Sequence, residues 1–165
     1  MDDIAKLLQA AAAERVQEAR SSGPTVGEAR EDSLLTFRLG ESHFAVPLAS
    51  SRGIVPVEKW TPLPGNLPYF AGVINWQGRL LTLVDIQQFF VAEPGLAVAG
   101  KTAVVIYDGD LEAGILVDEV LDILKIRSDQ RLAVSSSLSE KQRKTIAGLY
   151  PISGQKLMAI LNVAY

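Results

Sequence analysis

The feature that most constrains this chain is that it matches itself twice, in order. LLTFRLGESHFAVPLASSRGIVPV (Leu34–Val57) aligns without a gap on AVVIYDGDLEAGILVDEVLDILKI (Ala103–Ile126). Phe37 then falls on Ile106, Gly40 on Gly109, Ala45 on Gly114, Val46 on Ile115 and Ile54 on Ile123. GVINWQGRLLTLVDI (Gly72–Ile86) aligns with one insertion on GLYPISGQKLMAILNV (Gly148–Val163), so that Gly72 meets Gly148 and Gly78 meets Gly154. Apolar runs match one another easily, but ordered glycines do not, because glycine marks backbone turns and close approaches. The matches imply two related lobes built from one strand plan, with the break between repeats near residue 100.

The plan is a β one. From Ser33 onward the chain is a series of short runs, LLTFRL, HFAVPL, RLLTLVDI, TAVVIYD, EAGILVDEV and KLMAILNV, each rich in β-branched or bulky apolar residues and bounded by Gly, Pro, Asp, Asn or Ser. Punctuation this frequent points to barrels or sandwiches, not to strands alternating with long helices. Asp85 is placed to cap one helical turn in LVDIQQFF, and Ser137 with Glu140 has the spacing of a capping box in SLSEKQRKT. The first thirty residues differ. Asp3 to Arg20 holds strong helix formers without Gly or Pro, with Ile4, Leu7, Leu8, Ala11 and Arg15 on one narrow face, and SSGPTVGEARED has the composition of a linker. The expected organisation is a helix and linker over residues 1–30, then one domain of two lobes over residues 31–165.

Little in the sequence can do chemistry. With no cysteine and a single histidine, His43, the usual ligands of a zinc site are missing and disulfides are excluded. No phosphate cradle, dinucleotide turn or GxSxG elbow is present. Asp85, Asp118, Glu119 and Asp122 lie near strand ends, where solvated turn carboxylates are ordinary. A net charge of -3 gives nucleic-acid binding no help from the overall field. No apolar run is long enough to span a membrane, and the N-terminal MDDIAKLLQ is acidic where a signal peptide is basic, so a cytoplasmic protein without membrane insertion is expected. Neither a cofactor nor a metal is expected.

What remains is surface. TPLPGNLPYF (Thr61–Phe70) gathers Pro, Leu and two aromatics in a stretch that cannot be a central strand, so its apolar side chains cap a lobe, meet a partner, or do both. Phe37, Gly40 and Phe44, then LPYFAGVINWQGRLLTLVDI through Ile86, then GILVDEVLDIL, resemble the CheW family, in order, from about Leu34 to Tyr165. The resemblance implies a mainly β fold of two SH3-like five-stranded β-barrel lobes with a common apolar core. It implies a non-enzymatic adaptor that binds the cytoplasmic hairpin tip of chemoreceptors and the regulatory domain of a CheA-type histidine kinase. It places a receptor-facing groove near Ser51, Gly72, Gln77, Gly78, Gly114 and Ile123.

The chain departs from the family pattern where GVxNLRG is usual and GVINWQG stands, with Trp76 for leucine and Gln77 for arginine. Glutamine cannot imitate a forked, permanently charged guanidinium. Arg79 lies two residues on, and if both positions are in the strand they share a face, so Arg79 is a candidate for the displaced charge. An adaptor of a pilus-motility or other non-flagellar pathway remains an alternative, as does a small β-barrel ligand-binding protein with a convergent polar pocket.

Overall fold

The computed structural model describes residues 30–65, 67–90, 97–134, 136–154 and 156–164; the helix expected over Asp3–Arg20 lies outside them. In chain order the strands are β1 (Glu31–Leu39), β2 (Ser42–Pro47), β3 (Ser51–Pro56), β4 (Phe70–Trp76), β5 (Arg79–Val84), β6 (Thr102–Asp108), β7 (Leu111–Val117), β8 (Glu119–Arg127), β9 (Ile146–Pro151) and β10 (Leu157–Leu161). Among the described residues, short 3-10 turns cover Leu48–Ser50, Ile86–Phe89 and Ser128–Gln130, and an α-helix, α1, covers Glu140–Thr145. The strands form two five-stranded sheets, the first ordered β8-β1-β2-β10-β9 and the second β3-β6-β7-β5-β4.

The apolar runs are nearly continuous because β1, β2, β6 and β7 are buried on both faces. One face of each looks into a central core between the sheets, which holds Leu35, Phe37, Phe44 and Val46 from the first sheet and Val104, Ile115 and Val117 from the second. The opposite faces fill two satellite cores. One is built around Leu34, Ala45, Ile126, Met158 and Ile160, the other around Ile74, Leu81, Leu83, Ala103, Val105 and Leu116. Neighbours such as Leu34 and Leu35 therefore enter different cores, as the strand period of two requires. Phe37, Phe44, Leu81, Leu83, Val105 and Leu116 are all buried.

Strand pairing repeats as the sequence does. Phe37 faces Phe44 in the first hairpin, and their counterparts Ile106 and Ala113 face each other in the second. Leu35 faces Ile123 across one edge, and Val104 faces Ile54 across the equivalent edge. Gly114 beside Leu83 repeats Ala45 beside Ile160 in the two parallel contacts. The β4–β5 and β9–β10 hairpins even share an irregularity, between Phe70 and Gly72 in one and opposite the Ile160–Leu161 step in the other. Gly40 and Gly109, in the two equivalent turns, have φ of 57° and 60°, a conformation that glycine adopts without strain.

The repeats are nevertheless not the sheets. The first sheet takes β1 and β2 from the first repeat but β8, β9 and β10 from the second, and the second sheet takes the complementary strands. Each repeat thus places its leading hairpin in one sheet and its remaining strands in the other. The crossings are short: Leu48–Ser50 between β2 and β3, and Asp118 between β7 and β8. EAGILVDEV, which reads as one run, is broken at this Asp118. Its amide donates to the Arg38 carbonyl at 3.0 Å, and one carboxylate oxygen accepts the Gly40 amide at 2.6 Å. The other oxygen is paired with the Lys101 ammonium.

The repeated glycines Gly72 and Gly148 stand at equivalent crossings of the chain. The segment after β3 crosses to β4 through a two-way Thr61–Val73 bridge, and the segment after β8 crosses to β9 through an equivalent Leu132–Leu149 bridge. A Cβ on Gly72 would lie 2.6 Å from the Thr61 carbonyl oxygen, and one on Gly148 would lie 2.6 Å from Cδ of Arg131. Two helical details complete the frame. Asp85 caps the turn after β5 by accepting the Gln87 amide at 3.0 Å, as its sequence position suggests. The capping box of α1 is formed by Ser139 and Gln142 instead of Ser137 and Glu140. Leu138 is buried in the central core, so the chain turns into the helix only after it.

Candidate interaction surface

The β4–β5 hairpin closes through a two-residue turn, Gln77–Gly78, between the paired Trp76 and Arg79. Both turn residues have positive φ, 52° and 78°, which matches the right-handed twist of the flanking strands. The Asn75 side chain accepts the Gly78 amide at 3.1 Å and holds the turn. Gln77 is therefore in the turn and not in the strand, so strand alternation does not put it on the face of Arg79. Both are exposed, and so is Gly78.

Arg79 has a partner that sequence reasoning missed. Its guanidinium lies 3.6 Å from Glu112 on β7, and Arg52 on β3 reaches the same carboxylate at 2.8 Å. Arg52 also lies over the Tyr107 ring, 4.0 Å from its centroid, a cation–π contact that fixes the guanidinium plane. Glu112 is largely covered whereas Arg52 and Arg79 are 43% and 67% exposed, so two arginines share one carboxylate and a positive charge is left on the surface. Ser51, half-buried, starts β3 beside Arg52 and pairs with Ile106. Trp76 packs across to β3, where a Cβ on Gly53 would lie 3.3 Å from its ring.

The remaining expected groove residues are elsewhere. Ile123 is 50% exposed on β8, in the other sheet, and its repeat counterpart Ile54 is 49% exposed on β3. Gly72 and Gly114 are interior. A Cβ on Gly114 would meet Leu83, Ala103 and Leu81 at 3.1–3.2 Å, so this glycine serves the packing of a satellite core. Ser51, Gln77, Gly78 and Arg79 are thus placed in the second sheet with Arg52, while Ile123 is carried by a strand of the first.

The apolar surface is equally specific. Leu80 and Leu111 are 79% and 78% exposed. They stand on the neighbouring parallel strands β5 and β7, each two residues before the paired Thr82 and Ala113. Alternation carries the signal for Leu80, because Leu81 and Leu83 point into the core and Leu80 must point away. In Thr61–Phe70, Leu63, Leu67 and Phe70 are exposed, while the preceding Trp60 packs on a satellite core. Tyr69 stacks on Phe89, and the Lys141 ammonium lies over both rings. A cavity of about 210 Å³ beside β5, β6 and β7 is lined mainly by apolar side chains, among them Phe89, Ile106 and Ile115, with Asp108, Glu112, Thr145 and Asn162 also on its wall. Among the described residues no group of His, Cys, Asp and Glu could hold a metal ion, and no helix is long and apolar enough to cross a membrane.

Residues 33–165 match the model of the CheW-like domain. The chain belongs to the CheW-like domain family. It is 28% identical over 130 residues to the probable chemotaxis protein CheW of Rhizobium etli, a match that covers 77% of this chain and 82% of the relative. It is 30% identical over 131 residues, with the same coverage, to the chemotaxis protein CheW of Rhizobium meliloti. Protein PilI of Pseudomonas aeruginosa is 32% identical over 84 residues, about half of each chain. The crystal structure of the scaffolding protein TtCheW from Thermoanaerobacter tengcongensis superposes with a TM-score of 0.70 at 15% identity, covering 86% of this chain and 91% of that one. At that identity the superposition speaks for the fold: mainly β, with two five-stranded sheets.

Proposed function

We propose that this chain is a cytoplasmic chemosensory adaptor, which couples the hairpin tips of chemoreceptors to the regulatory domain of a CheA-type histidine kinase and makes or breaks no bond itself. The family match over residues 33–165 carries this reading. It is supported by a surface rich in exposed apolar side chains, Leu80, Leu111, Leu63, Leu67 and Phe70, of the kind that marks protein contacts. Each five-stranded sheet closes as an SH3-like barrel in this reading, a closure supported by the Thr61–Val73 and Leu132–Leu149 bridges.

The receptor-facing groove uses Ser51, the Gln77–Gly78 turn, Arg79 and Ile123. Gly72 and Gly114 act on it only through the backbone they allow. Arg79, seated with Arg52 on Glu112, supplies the charge that Gln77 lacks. Binding to the cognate receptor's cytoplasmic fragment and to the kinase regulatory domain, measured with purified proteins at two salt concentrations, tests the proposal. Arg79→Ala is expected to weaken receptor binding and lower its salt dependence while kinase binding is unchanged. No binding of either partner would sink the adaptor reading, and an Arg79→Ala variant with wild-type receptor affinity and salt slope would sink the role of Arg79. The similarity to PilI favours a second reading, an adaptor of a pilus-linked pathway, distinguished by which receptor and kinase bind.

A further inference from the structure

The repeats differ in chemistry at one equivalent site, and the difference leaves the place of a carboxylate unfilled. In the second sheet Glu112 on β7 faces Tyr107 on β6 and receives Arg79 at 3.6 Å and Arg52 at 2.8 Å. The repeated register gives each of these a counterpart in the first sheet: His43 for Glu112, Arg38 for Tyr107, Lys156 for Arg79 and Leu121 for Arg52. Arg38 faces His43 as Tyr107 faces Glu112, and His43 lies beside Met158, two residues from Lys156. All three are in step with side chains of the first sheet's satellite core, Leu34, Ala45 and Met158, so they share its face. The cation is kept, the acid has become an imidazole, and a third basic group stands where the tyrosine was.

Arg38 bonds to the Gly40 carbonyl at 2.6 Å and is paired with Glu119, an exposed residue on β8. Its charge also reaches Asp118, but among the described residues neither His43 nor Lys156 has an ion-pair partner. Burial, then Lys156, then Arg38, holds the His43 imidazole below its ordinary protonation range, as a positive local field demands.

We propose that this end of the first sheet is a docking site for a carboxylate side chain presented by a protein partner, which takes between Lys156, His43 and Arg38 the place that Glu112 fills internally in the second sheet. The surroundings favour a protein over a free ion. Where the second sheet turns Arg52 onto its own glutamate, the first has Leu121, 42% exposed, with Ile123 beyond it on the same strand. A charged contact edged by apolar side chains fits a protein surface. The site goes beyond the adaptor reading and does not require it.

Because His43 is the only histidine, its imidazole proton resonance reports on the site alone. The full chain is titrated with hexaglutamate, hexaglutamine and inorganic phosphate at constant ionic strength and pH 7.5. Hexaglutamate is expected to move the resonance saturably, with an affinity on the order of 1 mM, and hexaglutamine to leave it in place. Lys156→Glu, at an exposed position, should weaken the response at least fivefold with an unchanged circular dichroism spectrum. His43→Glu fills the site from within, so hexaglutamate should no longer shift the Met158 amide in that variant. An equal response to phosphate would reveal a general anion effect and overturn the proposal, as would a hexaglutamate response that survives Lys156→Glu or no response at all. Failure here leaves kinase and receptor binding untouched, and their failure leaves this titration untouched.

Discussion

Replacing Gly72 by alanine isolates one close approach between two backbone segments. The new Cβ would lie 2.6 Å from the Thr61 carbonyl oxygen and 3.1 Å from Cδ1 of Trp60, at a residue whose φ is 155°. The oxygen is fixed, because Thr61 and Val73 exchange amide–carbonyl bonds at 2.9 and 2.8 Å. Overpacking against an immobile group costs about 1–3 kcal/mol and a side chain in an unfavourable backbone region about 1–3 more. A total of about 2–6 kcal/mol corresponds to a fall in thermal midpoint of roughly 4–24 °C for a chain of this size. Gly148→Ala is the internal control. Its Cβ would also come within 2.6 Å of a neighbour, but that neighbour is the Arg131 side chain, which can swing away at the expense of its 3.3 Å ion pair with Asp32. The expected cost is only about 0.5–1 kcal/mol. Urea denaturation followed by tryptophan fluorescence measures both, with Trp60 beside the perturbed strand as a local reporter. Equal midpoints for the two variants, or a wild-type midpoint for Gly72→Ala, would refute the argument that the crossing backbone is what requires glycine.

Phe37→Ala, which empties a fully buried position in the central core, is expected to cost about 3–5 kcal/mol, read from the urea midpoint with the slope unchanged. Burial pushes the Asp118 carboxyl up, but the Lys101 bond, the Gly40 amide and the charges of Lys101 and Arg38 outweigh it and hold the group below its ordinary range. Its contribution is therefore present above the unfolded carboxylate value and lost as pH falls through the lower folded one. Asp118→Asn should lower stability at pH 7, and the gap between the two proteins should narrow below about pH 4. His43 has the opposite charge logic: its lowered folded value means that stability is full above the unfolded imidazole range, about pH 6.5, and declines as pH drops through it. By NMR titration Lys156→Ala should raise the His43 value without restoring it fully, since burial is the larger cause; an unchanged value would mean that Lys156 exerts no field there.

What could be read from the sequence was whatever local pairing and burial dictate. The hairpins follow from the repeated glycines, and the strands with two buried faces follow from continuous apolar runs such as TAVVIYD. The exchange of hairpins does not, because an alignment of repeats shows which segments are alike and not which copy each one pairs with. Asp118 illustrates the difficulty: EAGILVDEV has no Gly or Pro at the point where it breaks, and its break is enforced by bonds to Arg38, Gly40 and Lys101, each remote in sequence. The sequence does not tell a surface role for Gly114 from an internal one, because glycine permits close approach of any kind, and only the positions of Leu81, Leu83 and Ala103 reveal that the approach is internal. Gln77 in a turn was concealed by its residue type, since turns with two positive φ values prefer Asn or Gly at that place.

The exchange of hairpins between sheets has a consequence for how the protein is made. A nascent chain that has emerged through β5 contains β1 and β2, which lack the β8 and β10 that flank them in the first sheet, and β3 to β5, which lack the β6 and β7 that link them in the second. Neither sheet can be completed until the second repeat leaves the ribosome, and the first sheet must wait for β10, the last strand. Leu34 and Ile126, packed together in one satellite core, meet only after β8 of the second repeat has emerged. Unpaired edges of strands that are apolar on both faces are then exposed until the second repeat emerges, the condition under which strands pair with the wrong chain. Synthesis is thus expected to be a vulnerable stage for this fold, and a chain truncated between the repeats should aggregate instead of yielding a smaller folded lobe.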